Sequence, residues 1–503
     1  MYDVIIVGCG PASVQLAVRI EELSKQFNKK IEYLIIEQNS NPGSFFNIYP
    51  IHKRLISNNK LYTGKSKKSD FSNRFDWNSI LMEDYEIQMR NYTTDFYPES
   101  SIIPRMLEDI VDKFNMPINF NEKVLTVNKV ENHFEVSTDK EIYYARYVVI
   151  STGFRLKKPD IKGYELVTPY NRMKHRSYYR DKSVFIIGKG NSALECAGDI
   201  MNEANMIICA SPSSIHFAYQ THYVGSPRIV NSVPIENYQL KSLSAMLDCN
   251  IVEIKKDGNK FVVTVSYTHA KGEVEEIRVD EVICATGFEP NIPDIFPRIS
   301  KISERWPGID GEFMAQNIEN LYFAGAITHG LDYKQYSSSG FIHGFRYNSI
   351  MLAEKMFAKL TGISLNKEID RQDFLSCIFE ILNNNSGIYL QPGFLGRHIV
   401  VNKKIYECGY LSLIAFKDME DIQNIHLLIT LEYGDIKQYM DKPLEIEREP
   451  GIPEKSLHLH PVIRIKTPHE HKEIVLEENL FNQFDKSDVN MKIIKKLQDS
   501  LII

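Results

Sequence analysis

The spacing of apolar and polar positions divides the chain before any motif is considered. YDVIIV at 2–7 is a continuous apolar run of the length of a buried parallel strand. Ala12, Val14, Leu16, Ala17 and Ile20 then recur at helical spacing, and YLII at 33–36 is a second buried run. Residues 65–100 are polar and aromatic with little periodicity, which reads as an extended loop with short helices. Met106, Leu107, Ile110, Val111 and Phe114 predict a helix over about 103–114. Three alternating segments, KVLTVNKVEN, HFEVSTD and IYYARYVVI, predict a meander that closes on STGF at 151–154.

After a KKPDIKGYE linker the opening pattern repeats: SVFIIGKGNSALECAGDI is again strand, glycine turn and helix. Residues 250–282 alternate as another meander and end in VICATGF, the counterpart of STGF at the return crossing. LYFAGAITHG is a strand and glycine turn, and SSSGFIHGFRYNSIMLAEKMF is a well-patterned helix. The pattern breaks near residue 361, and NIHLLITLEYG and HPVIRIK mark strands in the remainder. The predicted fold class is α/β: two Rossmann-like, three-layer dinucleotide-binding domains, one inserted in the other, plus a small C-terminal α+β domain. The expected boundaries are 1–160 and 281–363 for an FAD domain, 161–280 for an NAD(P)H domain, and 364–503 for the last.

The turns carry the chemistry. A strand, a G-x-G turn, a helix and a strand ending in an acid make a dinucleotide-binding unit. Gly8 allows the tight turn, Gly10 lets backbone approach a pyrophosphate, and the helix start at Pro11 and Ala12 offers free N–H groups to its charge. Ser13 stands at the third small position, and Glu37, followed by Gln38, would accept hydrogen bonds from an adenosine ribose. Gly188, Gly190, Asn191, Ser192 and Ala193 form the second turn. Two such turns imply two dinucleotides, FAD and a nicotinamide cofactor. The second unit has no acid at its ribose position, which tilts the choice to NADPH over NADH; Ser211, Ser213 or Ser214 would meet the phosphate. Phe45 and Phe46 sit on a loop suited to cover a planar ring. Thr152, Gly153, Thr286 and Gly287 lie at the two crossings. Gly325, Ala326, His329 and Phe341 form a late flavin-facing segment, with Val124 and Lys60 completing the cofactor set. The helix after Phe341 would place N–H groups where negative charge develops on a reduced ring. Asn58 and Asn59 stand beside Lys60 in LISNNK.

Composition narrows the partners. A net charge of −6 gives no basic field for nucleic acid. No run of eighteen apolar residues exists to span a membrane, and a strand starting at residue 2 leaves no room for a cleavable signal, so a cytoplasmic protein is expected. The seven cysteines make no C-x-x-C or other close pair, so neither a disulfide framework nor a zinc ribbon is indicated. His458/His460 and His469/His471 lack cysteine or carboxylate support, and no metal site is expected. A homodimer is an open expectation.

FFNIYPIHKRLISNNKLYTG (45–64), DWNSIL (76–81), AGAITHGLDYKQ (324–335), GFIHGFRYN (340–348) and LHLHPV (457–462) together resemble the FAD-dependent oxidoreductase domain-containing protein 2 family, along the full chain. A looser resemblance, through PGSFFNIYP and YNRMKHRSYYRDKSVFIIGKGNS, is to the class B flavin monooxygenases, with His175 at their fingerprint histidine and Asn171 where that fingerprint has Gly. The animal member's secretory and retention signals have no counterpart here, so its endoplasmic-reticulum role does not carry over. In the wider class an Asp follows the late glycine; here it is Ala326, and Asp332 or backbone groups are the expected substitutes. The resemblance implies that NAD(P)H reduces FAD and that dioxygen is then activated, through a flavin hydroperoxide, to oxygenate a small-molecule substrate, and it makes Asn58 or Asn59 the candidate for the oxygen-reactive side of the flavin. The alternatives are an electron-transfer flavoprotein without oxygenation, and a flavin-carrying scaffold for protein partners. Loops 65–100 and 215–240 are expected to set specificity.

Overall fold

A computed structural model describes residues 1–239, 244–292, 299–420, 423–435 and 451–501. The first apolar run becomes the strand Tyr2–Val7 at the centre of a seven-stranded sheet. Tyr33–Ile36 and Ile142–Ile150 flank it in parallel, Val7 lying opposite Ile36 and Ile150. Leu321–Phe323 adds a further parallel strand beside Ile142–Ile150. His133–Thr138 and Val124–Val130 complete the predicted antiparallel meander. Val4, Ile5 and Ile6 are wholly buried, as strands covered on both faces must be. The helices Pro11–Phe27 and Ile342–Thr361 pack on each other over the sheet, joined at their outer face by Arg19 and Glu354 at 2.8 Å.

The second sheet runs Val274–Val279, Lys260–Tyr267, Ala245–Asp257, Met206–Ser211, Ser183–Ile187, Glu281–Cys284, Thr168–Pro169. Glu281–Cys284 pairs in parallel with Ser183–Ile187 and so belongs to this sheet. The chain therefore returns to the first unit after residue 284, not at 281. Phe154–Leu156, after STG, and Phe288–Pro290, after ATG, form a two-stranded antiparallel tie. The Thr152 hydroxyl donates to the Asn291 carbonyl, and Thr286 Oγ1 donates to the Lys157 carbonyl at 3.1 Å. Phe45, Tyr49, Tyr170 and Phe288 pack between the two units, Tyr49 stacked on Tyr170 at 6.0 Å.

The C-terminal segment is an antiparallel six-stranded sheet, Lys367–Ile369, Ile405–Ser412, Leu395–Val401, Ile425–Glu432, His460–Lys466, His471–Val475, with the helices Phe374–Asn384 and Asp488–Leu501 packed together beside it. The charged turn at 448–455 and the end of the 215–240 loop fall partly outside the described residues. Polar groups join this sheet to the first unit. Arg74, buried in the 65–100 loop, donates to the carbonyls of Leu382 and Asn385 at 3.2 and 3.0 Å. Asp70 accepts from Ser386 N and Asn385 Nδ2. Arg346, wholly buried, donates to the Asn73 and Ser79 carbonyls and to the Tyr347 hydroxyl, which in turn donates to Ser386 Oγ. Burial pushes the Arg74 guanidinium down to about 10.

Candidate functional site: a cleft shared by two glycine turns

Both glycine turns open on one cavity of about 1690 Å³. Gly8 and Gly188 turn the chain from strand to helix with φ of +98° and +131°, conformations that favour glycine. A side chain at either would strike the carbonyl of the adjacent strand's end, Ser151 or Ala285. Gly10 and Gly190 differ: their φ is ordinary and no protein atom lies within 4 Å of where a Cβ would stand. Packing does not require glycine there, whereas a phosphate lying against the backbone does. The helices Pro11–Phe27 and Asn191–Ile200 also begin without any side-chain cap, leaving first-turn N–H groups free for an anion. Two pyrophosphates fit this pair of cradles. Ser13 is small for the same close approach, and its hydroxyl donates to the Gly8 carbonyl at 2.7 Å, fastening the turn.

Glu37 ends its strand at the first cradle, 6 % exposed. One carboxylate oxygen accepts from Cys9 N at 2.8 Å and the other from Asn39 N and Nδ2, which fixes its direction at the cavity wall. At the second cradle Lys189 pairs with Asp248. Glu195, one turn into the second helix, receives weak hydrogen bonds from Tyr170 and Asn231 at 3.4 and 3.5 Å, and burial raises its carboxyl to about 7.

The cavity wall collects most of the residues expected from sequence. Gly8, Gly10, Pro11, Ala12, Glu37, Gln38, Phe45, Phe46 and Val124 line the first half; Gly188, Gly190, Asn191, Ser192 and Ser211 line the second. Thr152, Gly153, Thr286 and Gly287 line the crossings between them, and Gly325, Ala326, His329 and Phe341 the late segment.

The stretch 58–60 does not join them. Asn59 is buried with its amide donating to the Thr93 and Asp95 carbonyls, so it holds a loop. Asn58 is off the wall, its Oδ1 buried with no hydrogen-bond partner. Lys60 is exposed and lies over the Phe75 ring at 5.3 Å. The asparagine of this region that does reach the wall is Asn78, 1 % exposed, its amide donating to the Ser57 and Asn58 carbonyls and its backbone N–H to Asp76. DWNSIL was the only sign of it in the sequence.

Asp332 does not substitute for the missing acid at Ala326. It is wholly buried and spent on His329, Ser337 and Ser339. His343 also stands behind the wall, stacked on Trp77 at 4.1 Å, and burial holds its imidazole well below the usual range. Tyr223 reaches the wall from the 215–240 loop, Tyr333 from AGAITHGLDYKQ, and Arg305 from a stretch without periodicity, which is why no motif named these side chains. All seven cysteines are free; only Cys9 meets the cavity, and burial pushes its thiol up.

Two parallel-sheet units, each with a phosphate cradle at the carboxyl ends of its strands, sharing one cleft, define a two-dinucleotide oxidoreductase. The chain belongs to the pyridine nucleotide-disulphide oxidoreductase family, whose model matches residues 5–325, among oxidoreductases that use FAD and NADP(H). It is 28% identical over 476 residues to the mouse FAD-dependent oxidoreductase domain-containing protein 2, spanning 86% of this chain and 70% of that one. Among solved structures it is similar to the bacillithiol disulfide reductase Bdr (YpdA) of Staphylococcus aureus, with TM-score 0.53 and 22% identity over 71% of this chain and 98% of that one. The ornithine N-hydroxylase KtzI of Kutzneria, solved with reduced FAD, NADP+ and L-ornithine, gives TM-score 0.53 at 17% identity, over 72% of this chain and all of that one. Both likenesses show the fold. No described helix is long and apolar enough to cross a membrane.

Proposed function

We propose that the protein uses NADPH and FAD to oxygenate a small-molecule substrate with dioxygen. The continuity of the cavity carries this reading: both cradles open on the same space, so the donor and acceptor ends of two dinucleotides meet inside it. When bound, FAD supplies two-electron chemistry with NADPH as its hydride source. The chain's own residues bind and orient. Gly8 to Ala12 and Glu37 hold one dinucleotide; Gly188 to Ser192 hold the other, with Ser211 beyond them. Phe45, Phe46 and Phe341 keep the middle of the cleft apolar, which excludes water from the reacting atoms. Asn78 presents an amide whose direction is fixed by two carbonyls. A thiol pair is not part of this machinery, since Cys9 stands alone on the wall. A protein of the cytoplasm acting on a small molecule fits these features.

A second reading, electron transfer without oxygenation, is favoured by one observation: neither Asn58 nor Asn59 reaches the cavity. Rapid mixing separates the two. The purified protein is reduced by NADPH without air and then mixed with oxygenated buffer containing a panel of amines, thioethers and ketones. Oxygen uptake with sub-stoichiometric hydrogen peroxide and an oxygenated product supports oxygenation. Peroxide equal to oxygen consumed with every compound overturns it in favour of electron transfer.

A further inference from the structure

His329 Nδ1 lies 2.8 Å from Asp332 Oδ1, and His329 Nε2 lies 2.9 Å from the Tyr223 hydroxyl. The two rings face each other within 7° of parallel, centroids 5.8 Å apart. This line starts in the core and ends on the cavity. Asp332 is wholly buried; its other oxygen accepts from Ser337 Oγ at 2.6 Å and Ser339 N at 3.0 Å, a set of donors that stabilises a carboxylate. His329 is 4 % exposed, held edge-on by Trp306 and Tyr333 and covered by Gly340, where a Cβ would stand 2.9 Å from the ring. Tyr223 reaches it from the second unit, on the chain beyond the strand Met206–Ser211, whereas His329 and Asp332 follow the strand Leu321–Phe323 of the first. The line is complete only where the two units meet.

We propose that Tyr223, His329 and Asp332 form a proton relay, in which the Tyr223 hydroxyl donates to the acceptor in the cavity the proton that each turnover takes up. The inference rests on the two-electron oxidoreductase reading above. With dioxygen as acceptor the balance is NADPH + H⁺ + O₂ → NADP⁺ + H₂O₂: the hydride supplies two electrons and one proton, and solvent must supply the other. The Tyr223 O–H bond breaks toward the acceptor oxygen. The Nε2–H of a His329 imidazolium passes to the phenolate, while Nδ1–H stays on Asp332. The neutral imidazole recovers a proton from solvent before the next turnover. Burial pushes the Tyr223 hydroxyl up, so it stands protonated and able to donate at neutral pH. The charged and titratable groups facing it are Asp332 through His329, with Tyr333, Arg305 and Lys334 on the cavity wall. Arg305 favours the transient phenolate. Its Nη1 donates to the Tyr333 hydroxyl at 3.0 Å, its Nε has no partner, and it has no ion pair among the described residues. Asp332 acts as a positioning residue, fixing the tautomer and stabilising the imidazolium.

Y223F, which removes only the hydroxyl, and H329Q test this in the full-length flavoprotein. With NADPH and dioxygen as the probes, wild-type turnover is expected to slow in D₂O, because the relayed protons are then deuterons. Y223F and H329Q are expected to be about 100-fold slower and to lose most of that isotope effect, with bound flavin unchanged in Y223F. The second readout needs no turnover: in protein carrying ¹⁵N-histidine, the imidazole signal missing from H329Q is expected to shift in Y223F. An unchanged rate and isotope effect in Y223F overturn the relay, as does an unmoved His329 signal. Absence of any NADPH oxidation by the wild type overturns the oxidoreductase reading, and with it the relay's role. The imidazole readout keeps the two failures apart.

Discussion

Lys189, between the glycines of the second turn, forms an ion pair with Asp248, the residue that lies opposite Ser211 on the neighbouring strand. The acid missing from the end of Met206–Ser211 is thus supplied from beside it, with its second oxygen held by Ser214 Oγ at 2.5 Å. Lys189 is nearly buried, and its charge holds the Asp248 carboxyl below the usual range against the cost of burial. An ammonium attracts a 2′-phosphate and a carboxylate repels it, so the pair sets the balance between NADPH and NADH. D248N releases Lys189 and is expected to raise the NADPH-over-NADH ratio of kcat/KM by about tenfold, the value of one charge-assisted hydrogen bond. K189A is expected to lower it by a similar factor. Steady-state kinetics with both cofactors measures each.

Gly10 and Gly190 face open space, so their substitution separates ligand contact from packing. G190A is expected to leave the melting temperature of the cofactor-free protein within about 1 °C, because no native atom is struck. NADP⁺ binding is expected to weaken at least tenfold, read by calorimetry. G10A does the same for FAD and is expected to purify with less flavin. A G190A protein that binds NADP⁺ normally contradicts the cradle.

Glu195 makes NADPH binding sensitive to pH. Its carboxyl, raised to about 7 by burial beside the second cradle, is neutral below that pH and anionic above it. A new negative charge next to a pyrophosphate opposes binding. NADP⁺ affinity is expected to fall about tenfold between pH 6 and 8 in the wild type and to stay level in E195Q. Stability follows the same proton. A raised folded value contributes stability that is fully present below the unfolded value near 4.5 and is lost as pH rises through 7. Thermal melts at pH 5 and 8 are expected to show a loss in the wild type that E195Q lacks.

His398 and His426 do the reverse in the C-terminal sheet. They stack within 9° of parallel, Nε2 to Nδ1 at 3.0 Å, and burial with the neighbouring imidazole lowers His398 to about 4. A depressed histidine binds protons more tightly when unfolded. Its contribution is present above 6.5 and is lost as pH falls toward 4. Between pH 7 and 5 the wild type is expected to lose several degrees of melting temperature relative to H398L, opposite in sense to the Glu195 contribution.

Local rules made the sheet units legible. Continuous apolar runs gave the parallel strands, alternation gave the meanders, and the two glycine turns located both cradles, because each depends on residues close in sequence. The wall of the cleft between them was legible only where a motif touched it. Tyr223, Asn78 and Arg305 come from aperiodic loops, and tertiary packing alone brings them to one surface. Asn58 and Asn59 show the converse. Their types suited the chemistry, yet the fold uses Asn59 to tie down backbone carbonyls, and register along an irregular loop decides which amide of the region reaches the cavity. The boundary set at 281 missed by one short strand, since ICATGF gives no internal mark of which sheet its apolar half joins.

Arg74 and Asp70 place a constraint on how this chain can change over generations. The cation spends its hydrogen bonds on carbonyls at Leu382 and Asn385, and the anion on Ser386 and Asn385. A lineage that discards everything after residue 363 removes the carbonyl acceptors of Arg74 and two of the donors to Asp70, which is half-buried and retains Asn73 Nδ2 at 3.3 Å. Water then has to take the place of those partners, so the loop that carries both charges turns from an internal seam into an outer surface. Change in the last segment and change at these two positions are thereby coupled.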